Sequence, residues 1–498
     1  MERAPQRSTN AAIHEPMSFG ARIAELGATV PHEVAFVAVA VDGSEETMTW
    51  ADADRRSNQL GRAFTEAGLA RGDRVAIELQ NSAELVLAVL ASWKLGAVPV
   101  PMRWDLPEWE KARLLEVVDG QLVLDPPTIA ALGDRAAELS AAPLPDVLSP
   151  QVNGICSSGS TGLPKVILAD RPAVWLADSY APFASAWGPV ERPQTILVPG
   201  PLYHTNGFST LFSMLTGDKV LILEKFDAWL ILDLIKRHRV TTFTATPTML
   251  QRLANVADID TRDLSSIVFV LQGAAAMAPS LARAWIRLIG AERLYMAYGM
   301  TEGLGLASLR GDEWLTKPGS VGPGFRGTEI RIQGPDGAIL GPGEIGEIYL
   351  RSPTTGSYAY RGGAALLPMT ADGFGSAGDL GHIDEDGFLY IADRRVDLII
   401  SGGANVYPAE VEAALIDHPA IADVVVIGLR DTDWGRRVHA IVEPHNPAQP
   451  PSTAEVIAYA KERLAPYKVP KTVEIVAVMP RSAATKVNRS ALVDERGG

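Results

Sequence analysis

The chain has 498 residues, well beyond the roughly 250–300 at which one hydrophobic core stops growing, so we expect at least two domains. Its formal net charge of −14 argues against nucleic acid as a general partner, because an acidic surface repels the phosphate backbone. The single cysteine, Cys156, excludes both a disulfide within the chain and a cysteine-based zinc site.

The first sixteen residues, MERAPQRSTNAAIHEP, show no apolar stretch of the kind found in signal peptides. From Met48 to Met102 the pattern predicts helix, strand, helix and strand in turn. The most apolar segment, residues 83–102, contains Glu84 and Lys94 and is too interrupted to span a bilayer. We therefore expect a cytoplasmic protein without a membrane span.

Short apolar runs alternate with helical segments over the next two hundred residues. These runs are TILVPG, KVLILE, VTTFTAT, SSIVFVLQG and RLYMAYG. Strands that alternate with helices indicate stacked βαβ units and largely parallel sheets. The sequence therefore predicts an α/β fold for the large N-terminal part of the chain.

The pattern changes after Glu329, where apolar and polar residues alternate around PDG and GPG turns. This alternation predicts an antiparallel β subdomain. The last hundred residues, after Val396, contain strand and helix patterns typical of a small α+β domain. We therefore predict a large domain over residues 1–396 and a small C-terminal domain over residues 397–498.

The segment SSGSTGLPK, residues 157–165, combines hydroxyls, glycines and a lysine. Glycines permit close backbone approach, and successive amides in such a loop can form an anion-binding nest. The segment does not fit the Walker A pattern. Taken alone, it is better explained as a surface turn.

Four further segments have the same ambiguity when each is taken alone. In YGMTE an aromatic precedes Thr301, which can donate to a phosphate, and Glu302, which can bind Mg²⁺. In GDLG, Asp379 can accept ribose hydroxyls or simply cap a turn. The segment DRRVDLIISGGANVYPAEVE is also compatible with an ordinary strand, turn and helix. The segment PRSAATKV, which contains Lys486, is compatible with a flexible tail.

Together, in this order, the five segments resemble the adenylate-forming superfamily of acyl-CoA synthetases, luciferases and adenylation domains. SSGSTGLPK matches the family pattern [ST]SG[ST]TGxPK, YGMTE matches YGxTE, and PRSAATKV resembles PRTxxGKI. The segments ASWKLGAVPVPM, PLYHTNG and LQGAAAMAP also have counterparts, so the resemblance runs from about residue 45 to about residue 490. It implies a large domain with a distorted antiparallel β subdomain and a mobile small domain. It also implies activation of a carboxylic acid by ATP and Mg²⁺ to an acyl-adenylate, then thioester formation with CoA.

The resemblance implies a role for each matching position. The ATP-binding set is Ser157, Ser158, Gly159, Ser160, Thr161, Gly162, Lys165, Gly273, Ala274, Ala275, Tyr298, Gly299, Thr301, Asp379 and Arg394, with Glu302 as the magnesium ligand. The catalytic residues are Lys486, Thr301 and His204. The acyl pocket is formed by His204, Thr205, Asn206, Gly207, Thr246, Gly299, Met300 and Gly303. Gly402 and Gly403 line the CoA tunnel, and the hinge lies at Val396 and Asp397.

The chain departs from the family pattern at a few positions. Val396 replaces the usual Asp or Lys of the hinge, while Asp393 and Thr485 replace glycines, and Arg436 replaces a usual Glu. These departures bear on the thioester step, so an acyl carrier protein is an alternative acceptor to CoA. A catalytically inactive nucleotide-binding homologue is a second alternative.

The sequence indicates two properties of the acid substrate. Amino-acid-activating relatives place an Asp shortly after the position of His204, and HTNGF has no carboxylate, so we expect a substrate without an α-amino group. The segment PMRWDLPEWE is reminiscent of ligases for bulky or cyclic acids. Base rates favour a homodimer among oligomeric states.

Overall fold

A computed structural model provides the structure of this protein. It describes residues 16–157, 165–176, 180–362, 366–394, 397–401, 403–482, 485 and 487–498, with Arg394 described by its backbone alone. The predicted site residues Ser158 to Gly162, Val396, Gly402 and Lys486 lie outside the described residues.

The described helices follow one another along the chain with these bounds. They are α1 Phe19–Thr29, α2 Trp50–Glu66, α3 Ala83–Lys94, α4 Glu108–Val118, α5 Pro126–Ala137, α6 Thr205–Phe208, α7 Thr210–Met214, α8 Ala228–His238, α9 Pro247–Ala254, α10 Pro279–Ile289, α11 Gly311–Thr316, α12 Pro408–Leu415, α13 Thr453–Lys461 and α14 Arg489–Glu495. Several begin at side-chain caps that the sequence already offers: Thr49 accepts a hydrogen bond from Asp52 N at α2, and Ser82 accepts one from Leu85 N at α3.

The described strands divide among six sheets. They are β1 Met17–Ser18, β2 Val34–Val39, β3 Glu45–Thr49, β4 Arg74–Ile77, β5 Val98–Pro101, β6 Leu122–Leu124, β7 Gly154–Ser157, β8 Lys165–Ala169, β9 Val174–Trp175, β10 Thr195–Val198, β11 Lys219–Leu223, β12 Thr242–Ala245, β13 Phe269–Gln272, β14 Leu294–Gly299, β15 Leu306–Arg310, β16 Gly324–Phe325, β17 Glu329–Gln333, β18 Gly346–Arg351, β19 Tyr358–Arg361, β20 Gly375–Ile383, β21 Leu389–Arg394, β22 Ile399–Ser401, β23 Ala404–Val406, β24 Ile421–Asp431, β25 Gly435–Pro444 and β26 Thr472–Ile475.

The largest sheet orders its strands β16-β15-β14-β13-β12-β10-β11-β2-β3. Its centre, from β14 to β2, is parallel, and antiparallel strands close both edges. Both faces are covered: Phe36 and Ala38 pack in one core cluster with α1 to α3, while Val37 and Val39 pack in another with α8 to α10. Burial on both faces explains why these strands are continuous apolar runs.

Smaller sheets complete the large domain. Strands β5-β4-β6 form a parallel sheet, and β19-β8-β7 form an antiparallel sheet whose β7–β8 connection is the SSGSTGLPK segment. Strands β17-β18-β20-β21 form the predicted antiparallel subdomain, distorted by register shifts in two of its pairings.

The C-terminal sheet orders its strands β23-β22-β25-β24, with β26 parallel to β25. It begins at Ile399 and packs against α12 and α13 around its own core cluster. The predicted fold class, a large α/β domain with an antiparallel subdomain and a small α+β domain, is confirmed. The boundary predicted between residues 396 and 397 stays a prediction, since residues 395 and 396 lie outside the described part.

Candidate active site

The carboxyl ends of β13 and β14 form the floor of the candidate site. These strands are parallel neighbours, with Gln272 opposite Met296, and loops at such strand ends form the usual ligand crevice of α/β sheets. The predicted adenine segment, residues 273–275, follows β13 directly. Ala274 is held in the left-handed region at φ 74°, and Gln272 Nε2 donates to the Ala275 carbonyl at 2.6 Å.

Tyr298 and Asp379 meet across the crevice. The Tyr298 hydroxyl donates to Asp379 Oδ2 at 2.6 Å, which joins the end of β14 to strand β20. Asp379 also lies opposite Arg394 in the β20–β21 register. The predicted adenine and ribose positions are therefore neighbours in the fold, although they lie about eighty residues apart in sequence.

Lys165 and Glu302 form an ion pair beside this crevice. Lys165 Nζ donates to Glu302 Oε1 at 3.1 Å, and the side chains are only 15% and 8% exposed. Tyr360 on β19 completes the group, because its hydroxyl donates to the same oxygen at 2.6 Å and its ring centroid lies 4.0 Å from Lys165 Nζ. The sequence analysis missed Tyr360, which belongs to none of the motifs.

The His204 segment packs along the other side of the crevice. His204 precedes the short helix α6, and Thr205 Oγ1 lies 2.8 Å from Thr301 Oγ1. A Cβ at Gly207 would lie 2.3 Å from the Pro201 carbonyl oxygen, so this turn requires glycine. The pair of threonine hydroxyls links PLYHTNG to YGMTE, as expected if both segments face the same ligand.

A cavity of about 250 Å³ lies between the β7–β8 hairpin and helices α6 and α7. Two predicted acyl-pocket residues, Thr205 and Gly303, line it, as do Thr301 and Glu302. The other described residues that line it are Asn153, Ile155, Ile167, Ala169, Arg171, Phe208, Ser209, Phe212, Thr354, Ser357 and Tyr358.

The other predicted acyl-pocket residues are not among the described residues that line the cavity. A Cβ built on Gly273 would lie 3.8 Å from Asn206 Nδ2, so Asn206 is beside the adenine segment. Met300 packs with the core of the antiparallel subdomain. Thr246 bonds Thr485 of the small domain, with 2.7 Å between the two Oγ1 atoms.

The small domain contributes two more described positions. Gly403 lies in the turn between β22 and β23 at φ 82°. Asp397 Oδ2 accepts a hydrogen bond from Arg489 Nη1 at 3.2 Å. This bond attaches Asp397, one of the two predicted hinge residues, to helix α14.

The described residues fit a magnesium ion that arrives with a nucleotide. Among them no group of three or more His, Cys, Asp or Glu side chains could hold a metal ion by itself. Mg²⁺ usually binds one or two carboxylates together with substrate phosphate oxygens. The buried Glu302, with a lysine and a phenol at its side, offers the carboxylate of such a site.

Two family models match the chain. The AMP-binding enzyme model covers residues 24–358, and the AMP-binding enzyme C-terminal domain model covers residues 410–486. Together with the two-domain α/β fold, these matches define the class. The chain belongs to the AMP-binding enzyme family.

Relatives and solved structures narrow the activity. The chain is 34% identical to a 2-succinylbenzoate–CoA ligase of Bacillus velezensis, over 92% of this chain and 96% of the relative. It is 30% identical to the fatty acid–[acyl-carrier-protein] ligase ScoC of Streptomyces coeruleorubidus, over 94% and 95%. Two solved structures of o-succinylbenzoate CoA synthetase from Bacillus subtilis resemble this chain, each with 29% sequence identity to it. The acyl-adenylate complex has a TM-score of 0.81 over 97% and 100% of the two chains, and the ATP–magnesium complex has 0.79 over 96% and 99%.

The protein is an AMP-forming acid–thiol ligase. It activates a carboxylic acid with ATP and Mg²⁺, releases pyrophosphate, and transfers the acyl group from the adenylate to a thiol. These predictions of activity and cofactors are confirmed. Within the described residues, no helix is both long and apolar enough to cross a membrane.

Proposed function

We propose that the acid substrate is bulky and cyclic and has a second negatively charged group. The supporting observation is the chemistry of the cavity beside Thr301 and Glu302. Arg171 lines it, and the one side-chain contact of its guanidinium within the described chain is with the Tyr180 hydroxyl, at 3.5 Å. A guanidinium without a carboxylate partner is well suited to a carboxylate of the substrate.

A buried amide supports the same assignment. Asn153 lines the cavity, is 7% exposed, and makes no side-chain hydrogen bond within the described chain. Since buried polar groups normally have partners, this amide is available to a polar group of the ligand. Phe208 and Phe212 supply flat apolar walls that suit a ring.

The described lining of the cavity offers no unengaged carboxylate to an α-amine. Glu302 is the only carboxylate among its described lining residues, and Lys165 and Tyr360 already contact it. The 2-succinylbenzoate of the relatives is an aromatic acid with two carboxyl groups, which has the chemistry proposed here. The ammonium group of an amino acid would lie in the same cavity as the Arg171 guanidinium without a carboxylate to pair with.

The site residues keep the roles predicted for them, as proposals. Lys165 and the preceding loop hold the phosphates, Tyr298 and residues 273–275 bind adenine, and Asp379 binds ribose. Glu302 holds Mg²⁺, Thr301 contacts the α-phosphate, and Lys486 bridges the acid and the α-phosphate. Such cations and donors stabilise charge that develops on the phosphorus.

CoA is the favoured acceptor, and an acyl carrier protein is the alternative because ScoC delivers to one. Homodimerisation and cytoplasmic location stay predictions. Mass spectrometry of the product with CoA or with a phosphopantetheinylated carrier protein distinguishes the acceptors. Adenylate that disappears only when the carrier is present would overturn the CoA assignment.

Acid-dependent pyrophosphate release tests the substrate class. We expect a lower KM for 2-succinylbenzoate than for benzoylpropanoate, the same molecule without its ring carboxylate. In Arg171→Met the KM for the diacid should rise about tenfold, because one charge-assisted contact is lost, while the KM for the monoacid stays unchanged. The exposed Arg135→Met, on α5, is the matched control. Equal KM values for the two acids in the wild-type enzyme would contradict the proposal.

A further inference from the structure

Thr485 has a backbone conformation that threonine seldom adopts. Its φ is 61°, in the left-handed region, and the residue is only 8% exposed. A β-branched residue is disfavoured there, and such a conformation persists only where surrounding contacts hold it. Thr485 occupies the position at which the family pattern has glycine, directly before Lys486 in the chain.

Contacts within the small domain fix this backbone. Thr485 N donates to the Ser482 carbonyl at 2.7 Å, and Arg481 Nη1 donates to the Thr485 carbonyl at 2.9 Å. Arg481 is itself held by Asp423 on β24 through two hydrogen bonds of 2.5 and 2.7 Å. These bonds attach the backbone of Thr485 to the small domain.

The side chain of Thr485 reaches the large domain. Its Oγ1 lies 2.7 Å from Oγ1 of Thr246, which follows β12 and accepts a hydrogen bond from Met249 N at the start of α9. Strand β12 is the parallel neighbour of β13, so Thr246 lies at the same sheet edge as the adenine segment. The hydroxyl pair thus docks the turn against the catalytic edge of the sheet.

We propose that Thr485 is a positioning residue for the adenylation half-reaction. Its hydroxyl, bonded to Thr246, fixes the orientation of the small domain in which the next residue, Lys486, serves adenylate formation. The inference rests on the proposed role of Lys486. Glycine at this position would give the same turn without strain but could make no bond across the domains.

Half-reaction kinetics test the inference. In Thr485→Val and in Thr485→Gly, kcat for acid-dependent pyrophosphate release should fall about three- to tenfold, the loss of one hydrogen bond. The KM for ATP should change by less than about twofold, because the groups that hold ATP lie on the large domain. Thr485→Ser keeps the hydroxyl and should retain the wild-type rate. Thioester formation from supplied acyl-adenylate should be unchanged or faster in the Val and Gly variants.

A double-mutant cycle distinguishes loss of the Thr246–Thr485 hydrogen bond from general damage to the fold. Thr246→Val should also lower kcat, and the double variant Thr246→Val/Thr485→Val should be no slower than the worse single variant. Arg239→Gly is the matched control: Arg239 is also left-handed, at φ 53°, but precedes β12 at its opposite end. It should leave both half-reactions unchanged.

Three outcomes overturn the inference: an unchanged kcat in both Thr485→Val and Thr485→Gly, additive losses in the cycle, or an equal loss in Thr485→Ser. Thermal melting of each variant identifies loss of folding, and Thr485→Gly is the variant that keeps the turn without strain. Absence of acid-dependent pyrophosphate release from the wild-type enzyme would instead refute the proposed function itself.

Discussion

Glu302 and Lys165 satisfy the requirement that buried charges be compensated. Each would be costly to bury alone, and at 3.1 Å each compensates the charge of the other. Burial and the Glu302 carboxylate raise the pKa of Tyr360, so its hydroxyl stays protonated and donates to Glu302. In the roles proposed for them, Lys165 would hold phosphate oxygens of ATP and Glu302 would hold Mg²⁺.

Tyr360→Phe tests whether this hydroxyl orients the carboxylate. We expect the KM for ATP·Mg²⁺ to rise about tenfold, equivalent to about 1.4 kcal/mol for one hydrogen bond to a charged group. The measurement is pyrophosphate release at varied ATP·Mg²⁺. Tyr358→Phe is the companion variant, since the Tyr358 ring lies 5.0 Å from that of Tyr360 and its hydroxyl accepts from Leu367 N. If both variants bind ATP·Mg²⁺ like the wild-type enzyme, Tyr360 has no part in orienting Glu302.

At the scale of elements, the sequence predicts the strands and motifs that depend on residues close together in the chain. The parallel strands appear as continuous apolar runs, and the motifs after β13 and β14 follow from their position at strand ends. Tyr360 could not be predicted, because β19 reaches Lys165 only by pairing with β8, nearly two hundred residues earlier. Periodicity in a single sequence carries no information on such a distant pairing.

Lys94 is a second residue whose role depends on contacts that the local sequence pattern does not show. In the sequence it interrupts the apolar pattern of α3. In the fold it is 4% exposed, and its ammonium donates to Asp54 Oδ1 at 2.5 Å and Asn58 Oδ1 at 2.6 Å on α2. Burial lowers the pKa of Lys94, and the Asp54 carboxylate opposes this. The lysine therefore fixes the packing of two helices.

Lys94→Met should lower the free energy of unfolding of the large domain by about 2–3 kcal/mol. This loss is smaller than that expected from breaking a fully buried ion pair, because Asp54 is 19% exposed. The variant leaves Asp54 and Asn58 without their shared donor. The melting temperature of the thermal transition measures this, and a decrease of a few degrees is expected. Lys236→Met, on the exposed face of α8, should melt like the wild-type protein. A Lys94→Met melting temperature at or above wild type would show that the pair contributes no stability.

At the scale of the whole molecule, hydrogen bonds between described residues join the two domains. Asp393 Oδ2 at the end of β21 accepts from Ala409 N at the start of α12, 2.8 Å away, and Ser280 donates to Asp417. The Thr246–Thr485 bond also crosses between the domains. Small polar interfaces of this kind allow domains to move. Because Asp397 is bonded to α14, we infer that rotation occurs between Arg394 and Asp397.

Val396→Pro tests this location of the hinge. Proline fixes φ near −65° and so blocks a rotation that turns on this residue. We expect pyrophosphate release within about twofold of wild type and thioester formation from supplied acyl-adenylate reduced at least about a hundredfold. Val396→Ala, which leaves φ unrestricted, is the control.

Lys486→Ala should give the opposite result, with adenylate formation reduced by orders of magnitude and thioester formation from supplied acyl-adenylate largely retained. Two variants that each remove a different half-reaction require two orientations of one small domain, because a single fixed site would lose both activities together. If Val396→Pro forms thioester at the wild-type rate, the hinge is at another residue. If Lys486→Ala forms adenylate normally, the role assigned to Lys486 is wrong.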